Sequence, residues 1–304
     1  MMNKVDRAVW LAERQQGLGG SECAAALGLD PWVTRRELFE RKRNRLPETP
    51  DNDRMAAGRF MEGAIADWAA EKYGMTLRQR HQALVHRSFS WMRANVDRVV
   101  VGKKNGVELK NVDRLIVERS GEWGKEGSAD VPERHYLQCQ HYLEVTRFDV
   151  WTLIACVGGN ELRRYEIPRD EEIIEEIVDR EREFWDCVVR DEPPPFDYGH
   201  QSTIPLLKKL YPGTNGETVE LPLDALGWHQ VLVDAAKKVK QYEAIANGCK
   251  AHLLDLLGEA AIGALPNVGG EYRRKVVNRR GFTVEPTSYI DFRFKSIKGD
   301  EHDE

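Results

Sequence analysis

Asp97, Glu108 and Lys110 are the residues of this chain whose types and spacing are best suited to chemistry. They fall in NVDRVVVGKKNGVELK, Asn95 to Lys110. Two carboxylates beside a lysine are what a hard divalent cation and its bound water need. The carboxylates supply oxygen ligands, the metal acidifies the water, and the ammonium orients that water or stabilises developing charge. The pattern also predicts how the chain holds them. A β-branched run, Val99 to Val101, follows Asp97, and a polar turn spans Gly102 to Gly106. Val107 to Lys110 then alternates apolar and charged, so Glu108 and Lys110 share one strand face and Val107 and Leu109 the other. Two β-runs joined by a short Gly-containing turn predict a hairpin, whose twist and pairing bring Asp97 toward Glu108. Asp, Glu and Lys are also common on exposed antiparallel strands, and a D-x10-E-x-K spacing arises by chance. The hairpin alone leaves both readings open.

The elements around it must supply the rest of a site. Val5 to Gln16 reads as a helix carrying Trp10 and Arg14, stopping at Gly17. In GLGGSECAAALGL, Gly19 and Gly20 allow a tight turn, and Ser21 is a suitable N-cap for a helix from Glu22 to Leu27. A Gly-rich turn feeding a helix N-terminus presents free N–H groups to a phosphate, with Arg14 in reach; an ordinary capped helix has the same pattern. No GKS or GKT follows, which excludes a Walker loop. Thr34 can cap a helix from Arg35 to Arg43, and Met55 to Tyr73 reads as another. In the latter, Glu62 leads a stripe with Ala66, Ala69 and Tyr73 at the edge of the apolar face. A carboxylate there is either a group reaching water or one that needs a partner.

Ala83 to His86 and Phe89 to Met92 read as strand material before the hairpin, and Asn111 to Val131 as a loop over the site. A helix from Pro132 to Thr146 carries Gln138, His141, Tyr142 and Val145 on one face. Strands follow at Val150 to Val157 and Leu162 to Ile167, then an amphipathic helix from Asp170 to Arg190. Pro193-Pro194-Pro195 marks a boundary between residues 1–195 and an appendage, 196–304. In the appendage, Leu223 to Gly258 is largely helical. Leu232, Ala235, Val239, Tyr242 and Ala246 stand near heptad spacing there, and Gly248 is a candidate break. Basic strands are expected over Tyr272 to Lys295.

Composition narrows the class. At 304 residues and 41% hydrophobic, the chain can build a substantial core, and no stretch has the length or apolarity to span a membrane. The five cysteines are scattered with no CxxC, which argues against a zinc ribbon or a disulfide framework and for a reduced, cytoplasmic protein. A net charge of −5 excludes a wholly basic nucleic-acid coat but permits a local basic groove. Basic residues cluster at Arg35 to Arg45 and at Arg273 to Arg280, and acid concentrates in Asp170 to Asp186.

Four stretches in order, WLAERQQGLGGSECAAALGL, AAGRFMEGAIADW, the hairpin segment and YLQCQHYLEVT, resemble the YqaJ-type viral recombinase nucleases, relatives of phage lambda exonuclease within the PD-(D/E)XK superfamily. The resemblance covers about the first two-thirds of the chain. It implies an α/β (α+β) restriction-endonuclease-like core, a central mixed sheet flanked by helices, with a C-terminal helix and β-hairpin appended. It implies that Asp97, Glu108 and Glu62 bind metal with the Leu109 carbonyl. Lys110 would orient the water, and Gln138 would act beside them. Arg14, Ser21, Gln140 and Tyr142 would contact DNA and its 5′-phosphate. The implied cofactor is Mg²⁺, for which Mn²⁺ can substitute. The implied activity is 5′→3′ digestion of linear duplex DNA by a homo-oligomeric ring, a trimer in relatives, working with a single-strand-annealing protein inside the bacterial host of a phage. One departure is Val96, where the family usually has Pro. Proline there shapes backbone and binds no metal, so little cost is expected. An endonuclease of the same fold, or a catalytically silent DNA-binding or assembly protein, are the competing classes. The full set of Glu62, Asp97, Glu108 and Lys110 disfavours the silent protein.

Overall fold

The computed structural model describes residues 14–47, 51–80, 82–267, 269–278 and 281. Trp10, most of the helix expected over Val5 to Gln16, and most of the basic strands expected up to Lys295 lie outside the described residues. Contacts divide the chain into two units, the first ending at Pro212 and the second beginning at Gly213.

The first unit is built on a five-stranded mixed sheet. Its strands are β2 (Leu77–Gln79), β5 (Arg98–Val100), β6 (Asn105–Val112), β7 (Val150–Val157) and β8 (Glu161–Pro168), in spatial order β2-β5-β6-β7-β8. Only β6 and β7 pair in parallel; the other neighbours are antiparallel. β7 is apolar on both faces, with every residue from Trp151 to Val157 buried, as a central covered strand requires. A smaller sheet joins β1 (Leu18–Gly19), β4 (Met92–Ala94) and β3 (Leu84–Val85) in that order. It ties the N-terminal Gly-rich turn to the chain just before the hairpin, through Leu18 opposite Met92.

Helices cover both faces. α1 (Cys23–Leu27), α2 (Arg35–Lys42) and α3 (Asp53–Tyr73) precede the hairpin. α3 is capped by Asn52, whose side chain accepts the Met55 N–H, and ends at Gly74 with a positive φ. Its buried Ile65, Ala66 and Ala69 pack on Val107, Leu109, Ile154 and Leu162, the two small side chains letting the helix approach closely. The opposite face is covered by α5 (Glu133–Thr146), with α6 (Glu171–Arg190) also in that core. The parallel step from β6 to β7 runs through α4 (Arg114–Ser120) and α5. α4 corrects the expected loop over Asn111 to Val131. Asp113 caps it by accepting the Leu115 N–H, a local signal hidden by the short length and high charge of the segment.

The proline run at Pro193–Pro195 stops a helix without ending the unit. α7 (Thr203–Leu210) packs back, with Leu206 fully buried, and the Ser202 hydroxyl donates to the Trp32 carbonyl at 2.7 Å. The second unit contains α8 (Asp224–Leu257) and a hairpin of β9 (Ile262–Ala264) with β10 (Glu271–Arg273). α8 runs unbroken through Gly248, where the sequence offered a break. Among the described residues, no helix is long and apolar enough to cross a membrane.

Candidate active site

The hairpin forms with Arg98 opposite Val107, which sets Asp97 beside the middle of β6. Asp97 Oδ2 accepts the Leu109 N–H at 2.9 Å. Glu108 is buried, and its Oε1 accepts from Lys110 Nζ at 2.6 Å and from Gln138 Nε2 at 2.7 Å. Lys110 Nζ also donates to Gln138 Oε1 at 3.0 Å, so Gln138 on α5 clamps the lysine and the glutamate together. Glu62 reaches the cluster from α3, and its Oε1 accepts from Arg98 Nη1 at 2.7 Å. Gly106, directly opposite Val99, cannot carry a side chain: a Cβ there would lie 2.2 Å from the Trp151 ring.

This cluster is crowded with acid. Burial, then Glu108 and also Glu62, push the Asp97 carboxyl well above the usual range, against the pull of the Leu109 N–H and Lys110. Burial alone would lower Lys110, but Glu108 and Asp97 outweigh it and hold it as an ammonium. Burial, and secondarily Lys110, push His135 down to about 2, so its imidazole is neutral. Glu108 Oε2 is buried with no hydrogen-bond partner. A buried carboxylate oxygen left without a donor is costly, and a cation would satisfy it. The donor set of Asp97, Glu108 and Glu62 is hard oxygen, which fits Mg²⁺ or Mn²⁺.

A second feature adjoins it. A pocket of about 100 Å³ is lined by Arg14, Gly19, Gly20, Ser21, Arg93 and Tyr142, among others. Tyr142 joins the two features, because its ring lines the pocket while its hydroxyl accepts from Gln138 Nε2 at 3.1 Å. Gly20 is required by that ring: a Cβ would come within 2.5 Å of Tyr142 Cε1. Arg14 is steered by Glu22, whose Oε1 lies 2.9 Å from its Nη2. Glu22 Oε2 in turn accepts from Lys42 Nζ at 2.7 Å and from the Gly19 N–H at 3.0 Å. Beneath the pocket, His141 Nε2 donates to the Arg93 carbonyl and Nδ1 lies 2.8 Å from Glu181 Oε1. Burial would lower His141, but Glu181 reverses this and the net direction is up, toward an imidazolium.

The structure therefore brings Glu62, Asp97, Glu108, Lys110 and Gln138 together, and Arg14, Ser21 and Tyr142 into one adjoining pocket. Ser21 does not cap a helix. It lies inside a 3-10 turn, Gly20–Glu22, and the glutamate three residues after Gly19 satisfies the turn's N–H instead. Gln140 is not in the site. It is fully buried, donating to the Pro168 carbonyl at 2.8 Å and accepting the Asp170 N–H at 3.1 Å, so it anchors the junction of β8 and α6. Residues 138 and 140 point to different sides of α5, and a helix buried nearly all round offers no periodicity to separate them. Arg98, Arg93 and Lys42 escaped the sequence reading. Arg98 adjoins Asp97, which was a signal; Lys42 sat in a basic run that reads as a solvated face.

Residues 9–149 match the model of the YqaJ-like viral recombinase domain. The chain is 29% identical over 282 residues to the uncharacterized protein YqaJ of Bacillus subtilis (strain 168), spanning 91% of this chain and 86% of that one. It is similar in structure to an alkaline exonuclease, LHK-Exo from Laribacter hongkongensis, with a TM-score of 0.50 and 15% identity, covering 66% of this chain and 99% of that one. The complex of LHK-Exo with dAMP gives a TM-score of 0.51 at 16% identity, with the same coverage. With its mixed sheet and flanking helices, the chain shares the fold of LHK-Exo, and its residues 9–149 are similar to the YqaJ-like viral recombinase domain.

Proposed function

We propose that this protein is a metal-dependent deoxyribonuclease that digests linear duplex DNA 5′→3′ and leaves 3′ single-stranded tails. The observation that carries the reading is the junction at Tyr142. A hydrogen bond through Gln138 links an acid-crowded cluster holding an unsatisfied carboxylate oxygen to a pocket bearing two arginines. Asp97, Glu108, Glu62 and the Leu109 carbonyl would hold Mg²⁺, or Mn²⁺ in its place. The ion supplies an acidified water and stabilisation of charge on the phosphate. Lys110, held by Glu108 and Gln138, orients the attacking water through its N–H groups. Gln138 keeps that lysine and Glu108 in one geometry. Arg14 and Ser21 receive a terminal phosphate. The guanidinium binds it through a planar fork, and a terminal phosphate carries more charge than an internal diester, so the pocket selects ends. An acidic chain binds duplex DNA most simply as a ring with its positive charge turned inward, and a trimer is the form the family resemblance suggests. The tails produced suit a single-strand-annealing partner.

The test is incubation with Mg²⁺ and end-labelled linear duplexes beside a closed circle. Loss of one strand of the linear DNA alone supports the reading. Cutting of the circle would make the protein an endonuclease of this fold, and no cutting of either a silent DNA-binding protein.

A further inference from the structure

α8 has no buried residue in its 34 positions. Helices in proteins owe most of their stability to an apolar face packed on something else, and a lone exposed one is marginal. The apolar face of α8 has an unusual regularity. One row is Ala225, Leu232, Val239, Ala246 and Leu253; the other is Trp228, Ala235, Tyr242, Cys249 and Leu256. Together they alternate steps of three and four without interruption from 225 to 256, the a and d positions of a heptad repeat. A strict repeat of 3.5 winds a helix around another helix, whereas a helix lying on a globular core follows 3.6. Trp228 is 73% exposed and Tyr242 69% exposed, so this seam is unfilled among the described residues. Gly227 and Gly248 both fall at c, away from the seam, where they do not interrupt its packing surface.

We propose that α8 forms a coiled coil with α8 of the other copies of this chain, parallel and in register. The flanking charges choose the partner and the direction. Lys238 stands at g and Glu243 at e of the next heptad. A parallel, in-register pair sets each Lys238 beside Glu243 of the other copy, an attraction that symmetry repeats. An antiparallel pair filling the same seam sets Lys238 against Ile245, Glu243 against Ala236 and Lys250 against His229, with no attraction gained. The parallel pair also makes every layer self-matched, so Cys249 faces its own counterpart. Cys249 is exposed, whereas Cys23, Cys139 and Cys156 are buried.

The inference does not depend on nuclease activity, and its test does not measure any. The full chain is treated with a mild thiol oxidant at micromolar concentration and resolved on a non-reducing gel. Wild type should form a disulfide-linked dimer that Cys249→Ser abolishes. In the Cys249→Ser background, Ala235→Cys, at d, should restore it at least tenfold faster than Ala244→Cys, on the outward face. Val239→Asp should suppress the Cys249 cross-link even where the first unit associates by itself, an association that sedimentation would still record. Equal rates for Ala235→Cys and Ala244→Cys overturn the seam. Faster cross-linking of Leu232→Cys to Cys249 overturns the parallel direction. A Cys249 dimer that forms only when an annealing protein is added overturns the other copies as occupant.

Discussion

Two half-buried carboxylates of the first unit have their pKa values displaced in opposite directions. Burial works against the charge of both Glu22 and Asp97. Glu22 is nonetheless drawn below the usual range, because Lys42, Arg14 and the Gly19 N–H more than offset its burial. Lys42 runs the other way: burial, helped by Arg14 and Arg93, pulls its pKa down, and Glu22 opposes them. Asp97 is driven up because Glu108 and Glu62 add to burial and only one backbone N–H and Lys110 oppose them. The Glu22 carboxylate is balanced by its neighbours without help and can serve as a rigid wall for a pocket. The Asp97 region carries surplus negative charge, which the proposed cation would relieve.

The sharpest way to test this contrast is to remove the charge of Asp97. Asp97→Asn should lower cleavage on the order of a thousandfold or more, about 4 kcal/mol of barrier. It should also make the metal-free protein more stable, by on the order of 1 kcal/mol at neutral pH. Because the folded pKa of Asp97 is raised, its penalty is present above the unfolded pKa of about 4 and disappears as pH falls, so the gain of the variant should shrink in acid. Urea unfolding in chelator, from pH 7 down to pH 4, measures this, and a less stable variant at pH 7 breaks the comparison.

The opposite outcome belongs to Glu22. Glu22→Gln leaves the buried Lys42 ammonium with neutral acceptors, the carbonyls of Arg14 and Gly17 among them, and no counter-charge, and should cost about 3–5 kcal/mol. Glu22→Gln with Lys42→Met should recover much of that loss. A single-variant cost below about 1 kcal/mol in chemical denaturation would mean that the wall is not held by this pair.

His135 provides a third test by pH. Its folded pKa is about 2, far below the ordinary histidine value. The unfolded chain therefore binds a proton that the folded chain does not, and stability is lost as pH drops below about 6.5. By pH 5 the loss should be about 2 kcal/mol, and His135→Gln should lack that share of the slope in urea midpoints.

The smallest effect concerns Arg14. Arg14→Ala should cut the preference for 5′-phosphorylated over 5′-hydroxyl duplexes about tenfold, or about 1.4 kcal/mol, and Arg14→Lys should restore part of it. The ratio of digestion rates on matched duplexes is the readout, which cancels any general loss of stability. An unchanged ratio would make Arg14 a structural residue held by Glu22.

Local rules made much of the molecule legible beforehand. The period-two alternation and Gly-bearing turn of the hairpin are short-range, and β5 and β6 formed as read. The spacing of Glu62, Ala66 and Ala69 placed α3 on the sheet with its acid at the edge, and the near-heptad spacing from Leu232 to Ala246 of α8 is written in its residues. Pairings between distant residues were not legible. Nothing local joins Lys42 to Glu22 or Gln138 to Glu108, and nothing local separates Gln138 from Gln140 on a helix buried nearly all round. The first unit ran past Pro193–Pro195 because proline ends a helix, not a hydrophobic core. Residue type and short spacing are enough to nominate side chains suited to a cation or a phosphate. Whether a given carboxylate is balanced by a neighbour or left wanting one is a matter of burial and of charges brought from far along the chain, and only packing decides it.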